Sequence, residues 1–201
     1  MKTSTIIKGS ATSVVALVAG SQAYAQDWTG MYAGVSAANN TGTSPYQPYV
    51  DDADGYRVGG RSFGVFAGVR WAATGNVILG LEAAISGPIN ADIQDDGGSD
   101  PEDYMLNGLT DIKISAGIPV GKALIYGFGG VSFGTGTGYS DSTVYTTSGG
   151  NLGIGIDYAI NDNVSIGAEF IQRTMTGYTS GGNPDPNDPF QSVSLRASFS
   201  F

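Results

Sequence analysis

The chain has 201 residues, a formal charge of −9, and neither cysteine nor histidine. Disulfides and any Ser–His or Cys–His catalytic system are therefore excluded, and the acidic balance argues against nucleic acid, whose phosphates need the opposite sign. Charged residues make up 13% of the chain, about half the usual globular share, whereas glycine takes 32 positions and tyrosine 11, a poor composition for a domain that must coat itself with charge.

The first 25 residues, MKTSTIIKGSATSVVALVAGSQAYA, carry Lys2 and Lys8, an apolar stretch from Val14 to Ala19, and the small-x-small end Ala23-Tyr24-Ala25. This is the layout of a secretory signal peptide cleaved after Ala25. The apolar core is far shorter than the ~20 residues of a membrane anchor, and no cysteine stands near the cleavage point to take a lipid. Residues 26–201 are then expected to form one domain with 7 basic and 18 acidic residues, a formal charge of −11.

Eight alternating segments follow, at about 28–38, 60–71, 76–87, 103–117, 122–134, 147–160, 163–174 and 190–201. On the first, Met31, Ala33 and Val35 oppose Tyr32, Gly34 and Ser36. On the second, Phe63, Val65, Ala67, Val69 and Trp71 oppose Gly64, Phe66, Gly68 and Arg70. The third sets Val77, Leu79, Leu81, Ala83 and Ile85 against Ile78, Gly80, Glu82 and Ala84. The fourth sets Leu106, Ile112, Ile114 and Ala116 against Asn107, Asp111, Lys113 and Ser115. The fifth, Leu124-Ile125-Tyr126-Gly127-Phe128, has no readable face. The sixth and seventh (GIGIDYAINDNVSIGAEF, 153–170) set Ile154, Ile156, Tyr158, Ile166 and Phe170 against Gly155, Asp157, Gly167 and Glu169. The last sets Val193, Leu195, Ala197, Phe199 and Phe201 against Ser192, Ser194, Arg196 and Ser198.

A period of two means strand. The connections alternate between turns of a few residues (72–75, 118–121, 161–162) and long polar stretches (39–59, 88–102, 135–146, 175–189). Short and long connections in alternation predict an all-β fold, an eight-stranded antiparallel up-and-down transmembrane β-barrel with short periplasmic turns and long external loops. The apolar face meets lipid. The small face fills a lumen with room for side chains and little else. Arg70, Glu82, Asp111, Lys113, Asp157, Glu169 and Arg196 are assigned inward, with Arg173 nearer the outer mouth. Buried charges must pair, so a lumen salt-bridge network is expected. Counting from the periplasmic ends places Glu82, Asp111 and Glu169 opposite Arg196 and Lys113, and Arg70 with Asp157 lower down.

Three other features have plain readings. The segment ADIQDDGGSDPED holds Asp92, Asp95, Asp96, Asp100, Glu102 and Asp103; its spacing misses the Ca²⁺ loop pattern, which favours a solvated loop over weak divalent-cation binding. The glycine run at 127–138 lacks the Lys-Ser/Thr of a phosphate loop and reads as a strand with small inward residues. Trp28, Tyr32, Trp71, Tyr104, Tyr126, Tyr158, Phe199 and Phe201 are candidate girdle aromatics at the two bilayer interfaces. No cofactor, metal or catalytic residue is called for; an Asp157–Glu169 carboxylate pair is better read as part of the charge network.

DWTGMYAGVSAAN, GVFAGVRWAATGNVILGLEAAISG, GIGIDYAINDNVSIGAEFIQ and the terminal SVSLRASFSF resemble the small outer-membrane β-barrels of Gram-negative bacteria, the porin-like and OmpA-like surface-antigen group. The resemblance implies location in the outer membrane, contact with its lipid and lipopolysaccharide, insertion by the barrel-assembly machinery, and Phe199 with Phe201 as the insertion signal. A monomer is the default expectation, and a chain that stops at Phe201 is expected to lack the periplasmic wall-binding domain that some members of this group carry. The function expected is non-enzymatic: a structural or surface-interaction role in the cell envelope, with the lumen plugged by its salt bridges. A narrow porin-like channel for water and small solutes is the first alternative, and a loop-mediated adhesin or surface binding protein the second.

Overall fold

The computed structural model describes residues 26–43, 57–73, 76–91, 104–137, 144–178 and 188–201. Residues 1–25, most of the long connections and the acidic stretch from Asp92 to Asp103 lie outside the described residues. Nine strands are present: β1 (Gly30–Thr43), β2 (Arg57–Ala72), β3 (Ile78–Ser86), β4 (Ile89–Ala91), β5 (Tyr104–Val120), β6 (Ala123–Thr137), β7 (Val144–Ala159), β8 (Val164–Tyr178) and β9 (Asp188–Ser200). All described neighbours pair antiparallel, in the order β3-β2-β1-β9-β8-β7-β6-β5-β4, and pairing of β3 with β5 closes the sheet. β4 continues β3 past Gly87-Pro88, and both pair with β5. The proline has no N–H for the ladder and breaks the strand there. The result is a closed eight-stranded barrel.

Several strands run beyond the segments read from the alternation. β1 extends to Thr43 and β2 begins at Arg57, where 39–59 reads as loop. Past the bilayer both faces of a strand meet water, so alternation fades while the backbone ladder continues. At the opposite end, Val120 pairs with Ala123 across Gly121-Lys122, a two-residue hairpin connection in which Gly121 takes φ +60°; a left-handed first residue matches the twist of the flanking strands.

The outer wall is apolar and uncovered: Phe63 is 75% exposed, Leu195 70%, Leu152 70% and Ile154 66%. A continuous patch of this size in water would drive association. In a bilayer it is the solvated face. Trp71, Tyr158, Phe199 and Phe201 project outward as a girdle would. Trp28, Tyr32 and Tyr126 do not; they are buried inside the barrel, and the girdle reading is corrected for these three. The side chain of Tyr104 lies outside the described residues.

Candidate functional site in the lumen

The fifth predicted strand, unreadable from its pattern, turns Leu124, Tyr126 and Phe128 inward and Ile125 outward. Both parities are apolar here because the inward residues of this strand join an apolar cluster inside the barrel: Trp28, Leu124, Tyr126, Phe128, Ala159 and Ile171 are buried together. Glycines make the space. Tyr32 lies directly across from Gly68, Phe66 from Gly34, Phe128 from Gly153 and Tyr126 from Gly155. A Cβ on Gly68 would come 2.6 Å from the Tyr32 ring, closer than carbon atoms tolerate. Each inward ring therefore fills the gap left by the glycine beside it, and inward glycine is a packing requirement.

Above and among these rings sit eight buried charges in three groups. Lowest, the Arg70 guanidinium donates to Asp157 Oδ2 at 2.5 Å and stacks over Tyr32, 4.2 Å from the ring centre, with Trp28 at 5.6 Å. In the middle, Lys113 Nζ lies 2.7 Å from Glu82 Oε1 and 2.7 Å from Glu169 Oε2. Arg196 reaches the same two carboxylates at 2.5 Å each, making a closed four-membered ring of alternating charge. The Tyr32 hydroxyl donates to Glu82 at 2.8 Å and the Tyr126 hydroxyl to Glu169 at 3.3 Å. Phe66 and Phe128 lie under the Arg196 and Lys113 cations at 3.9 and 4.9 Å.

The upper group differs from the sequence expectation. Asp111 belongs to no quartet; it accepts two bonds from Arg173, at 2.9 and 2.6 Å. The count from the periplasmic ends misplaced it because barrel strands are tilted and staggered. Glu82 lies directly across from Lys113, while Asp111 sits beside Ala84, one inward position higher. Ser192, read as inward, and four polar side chains the sequence reading passed over, Asn40, Ser62, Ser132 and Asn151, extend this group. Ser132 donates to Asp111, Asn151 to Ser132, Arg173 to Ser192, Ser192 to Asn40, and Asn40 to Ser62. Inward parity on each strand was the signal that could have found those four. Asn107, read as inward, is exposed at an irregularity where β5 shifts register against β6.

The three groups hold four cations and four anions and are together neutral. Asp157 and Glu169 are held apart by their partners: Glu169 lies across from Gly155, two residues from Asp157, and each binds its own cation. Among the described residues, a cavity of about 40 Å³ lies between the upper and middle groups, room for about three waters. Ile89, Leu109, Met175 and Phe190, from β4, β5, β8 and β9, form a buried apolar cluster at the outer end.

The sequence matches the outer membrane protein beta-barrel domain family over residues 10–201. The chain belongs to that family. It is an outer-membrane β-barrel protein. Relatives include the 31 kDa outer-membrane immunogenic proteins of Brucella melitensis and Brucella suis, each 28% identical over 174 residues, covering 74% of this chain and 71% of the relative. Among solved structures, Neisserial surface protein A is 16% identical, with a TM-score of 0.56 over 86% of this chain and 98% of that one. Ail, the attachment invasion locus protein of Yersinia pestis, crystallised with the heparin analogue sucrose octasulfate, is 15% identical, with a TM-score of 0.53 over 86% and 99%. At these identities the solved structures share the fold.

Proposed function

We propose that this barrel is a closed, non-conducting and non-enzymatic element of the outer membrane, with a structural and surface-display role. The observation that carries the reading is the mid-lumen quartet of Glu82, Lys113, Glu169 and Arg196. An ion entering the lumen would have to displace partners already matched one for one, in a space of about 40 Å³. The aromatic cluster around Trp28 below and the Ile89–Phe190 cluster above add apolar barriers at both ends, and hydrophobic constrictions oppose the passage of water and ions. Surface display is supported by the immunogenic name of the Brucella relatives and the attachment name of the Yersinia neighbour.

Planar-bilayer recording of the refolded protein tests this directly. The expected record is silent at all voltages. Steady ohmic conductance would instead favour the channel reading. Removal of residues 1–25 on export, and assembly steered by Phe199 and Phe201, belong to the same reading. Protein isolated from outer membranes should start at Gln26, and deleting Phe201 should lower its outer-membrane level; unchanged assembly would refute the second of these.

A further inference from the structure

We infer that the outer wall formed by β2, β1 and β9 holds one outer-leaflet lipid with a net-anionic phosphate headgroup, its head on Arg61 and its acyl chain in the groove below. The groove runs along β1. Ala37 is its floor, and the walls beside it are Phe63 on β2 and Leu195 on β9, each directly across from Ala37. Val35, flanked by Val65 and Ala197, continues it toward the periplasmic side. Its volume is about 770 Å³. Phe63 and Leu195 stand on strands two apart, about 10 Å from each other, a width that fits an extended hydrocarbon chain between them.

One outward position further along, the chemistry changes. Asn39 lies directly across from Arg61, and Thr41 across from Gln191. All four side chains are exposed. Asn39 and Arg61 stand about 7 Å beyond Phe63, two residues of strand, and Thr41 and Gln191 about 14 Å beyond, four residues, on the side away from the short turns; the exposed Val193 lies beside Asn39 on β9. This is where apolar wall gives way to polar wall, the depth at which headgroups lie. Arg61 supplies a guanidinium fork suited to phosphate oxygens; the Asn39 amide beside it, and the Gln191 amide one outward position further on, supply additional donors.

Two other grooves on the outer wall make the contrast. They lie around Ala116 and Gly127, with volumes of about 770 and 1050 Å³, and the polar residues bordering the larger include Gln172 and Thr174. Among the described residues no outward-facing cation borders either. Arg61 is the one cation with a described side chain that the strands turn outward; Arg70, Lys113, Arg173 and Arg196 are buried, and Lys122 is in the short β5–β6 turn at the opposite rim. Acyl chains can enter any of these grooves, but among the described residues only the first has an outward-facing cation, Arg61, just past its outer-leaflet end.

The test uses the full chain refolded in mixed micelles containing equal amounts of phosphatidylglycerol and phosphatidylcholine. Native mass spectrometry counts the lipids each barrel retains, and the mobility shift between boiled and unboiled samples verifies that every variant is folded. The wild type should retain one phosphatidylglycerol in preference to phosphatidylcholine, by roughly threefold to tenfold. Arg61→Gln should remove the preference and Arg61→Lys should keep part of it. Ala37→Leu, which fills the groove floor, should lower retention of both lipids. Lys122→Gln should change nothing. A preference that survives Arg61→Gln, or that is lost with Lys122→Gln instead, overturns the proposal. So does a wild-type barrel with no preference.

Discussion

Arg70 and Trp71 are adjacent in sequence, yet one is buried against Asp157 while the other is 43% exposed on the outside. The same contrast separates the whole lumen from the whole outer wall. The lumen inverts a soluble protein: charge and glycine are buried, and leucine, isoleucine and phenylalanine are exposed. In the lumen four rings, Tyr32, Phe66, Tyr126 and Phe128, each answer a facing glycine, and each described buried cation answers a carboxylate. On the wall, neighbours such as Val65, Ile85 and Ala67 share only their apolarity. Lumen substitutions should therefore be specific and costly, and wall substitutions tolerant wherever hydrophobicity is kept.

The largest expected difference lies between two arginines. Arg196→Ala removes one corner of the quartet and leaves Glu82 and Glu169 sharing Lys113 alone. Truncating one member of a buried ion pair typically costs ~3–5 kcal/mol. Arg61→Ala removes an exposed charge on the wall, worth ~0–1 kcal/mol. Urea unfolding of both variants in phosphatidylcholine vesicles measures the gap. Equal stabilities would mean that the lumen charges are individually hydrated, and the comparison would break at its centre.

A smaller effect separates two glycines. Gly68→Ala drives a methyl group into the Tyr32 ring and also to 2.6 Å from the Leu81 carbonyl oxygen. Because backbone as well as side chain must yield, a loss of ~1–3 kcal/mol is expected. Gly127 faces outward, and the nearest atom to a Cβ there is the Gly153 carbonyl oxygen at 3.8 Å. Gly127→Ala should be neutral or stabilise by up to ~1 kcal/mol through the reduced freedom of the unfolded chain. The same unfolding assay reads both, and a Gly68→Ala barrel of full stability would show that ring and glycine are not coupled.

The outer wall was legible because a lipid-facing strand needs only alternation, which a single strand displays. The barrel class and the inward parity of Arg70, Glu82, Lys113, Asp157, Glu169 and Arg196 followed from it. Pairing was less legible, since it depends on stagger between strands: Asp111 reads as a neighbour of Arg196 and binds Arg173. The aromatics mislead for a related reason. Trp28, Tyr32 and Tyr126 have the composition and position of girdle residues, but only the facing Gly68 and Gly155, on other strands, reveal that there is space for the two tyrosines indoors. On Leu124 to Phe128 the alternation vanishes because lumen and lipid are both apolar there.

The smallest expected effect is at the rim, where lumen and exterior meet. Trp28 is buried while its neighbours Asp27 and Thr29 are exposed. Asp27 Oδ1 accepts from the Thr29 backbone N–H at 2.9 Å and from its hydroxyl at 2.7 Å, closing a tight turn whose middle residue is the tryptophan. The backbone bond, and then the hydroxyl bond, hold the Asp27 carboxyl below its ordinary value of 3.8. The folded value is thus lower than the unfolded one. The turn's contribution is complete above 3.8 and is lost as pH falls through the lowered value. Because Asp27 is solvent-exposed, that contribution is well under ~1 kcal/mol. Carboxyl NMR titration of the folded barrel should give an Asp27 midpoint below 3.8, and Thr29→Ala should bring it part of the way back, since the backbone donor remains. A midpoint at or above 3.8 would mean that this turn does not hold Trp28 in the lumen, and the boundary between the two regions would have to be drawn one residue later.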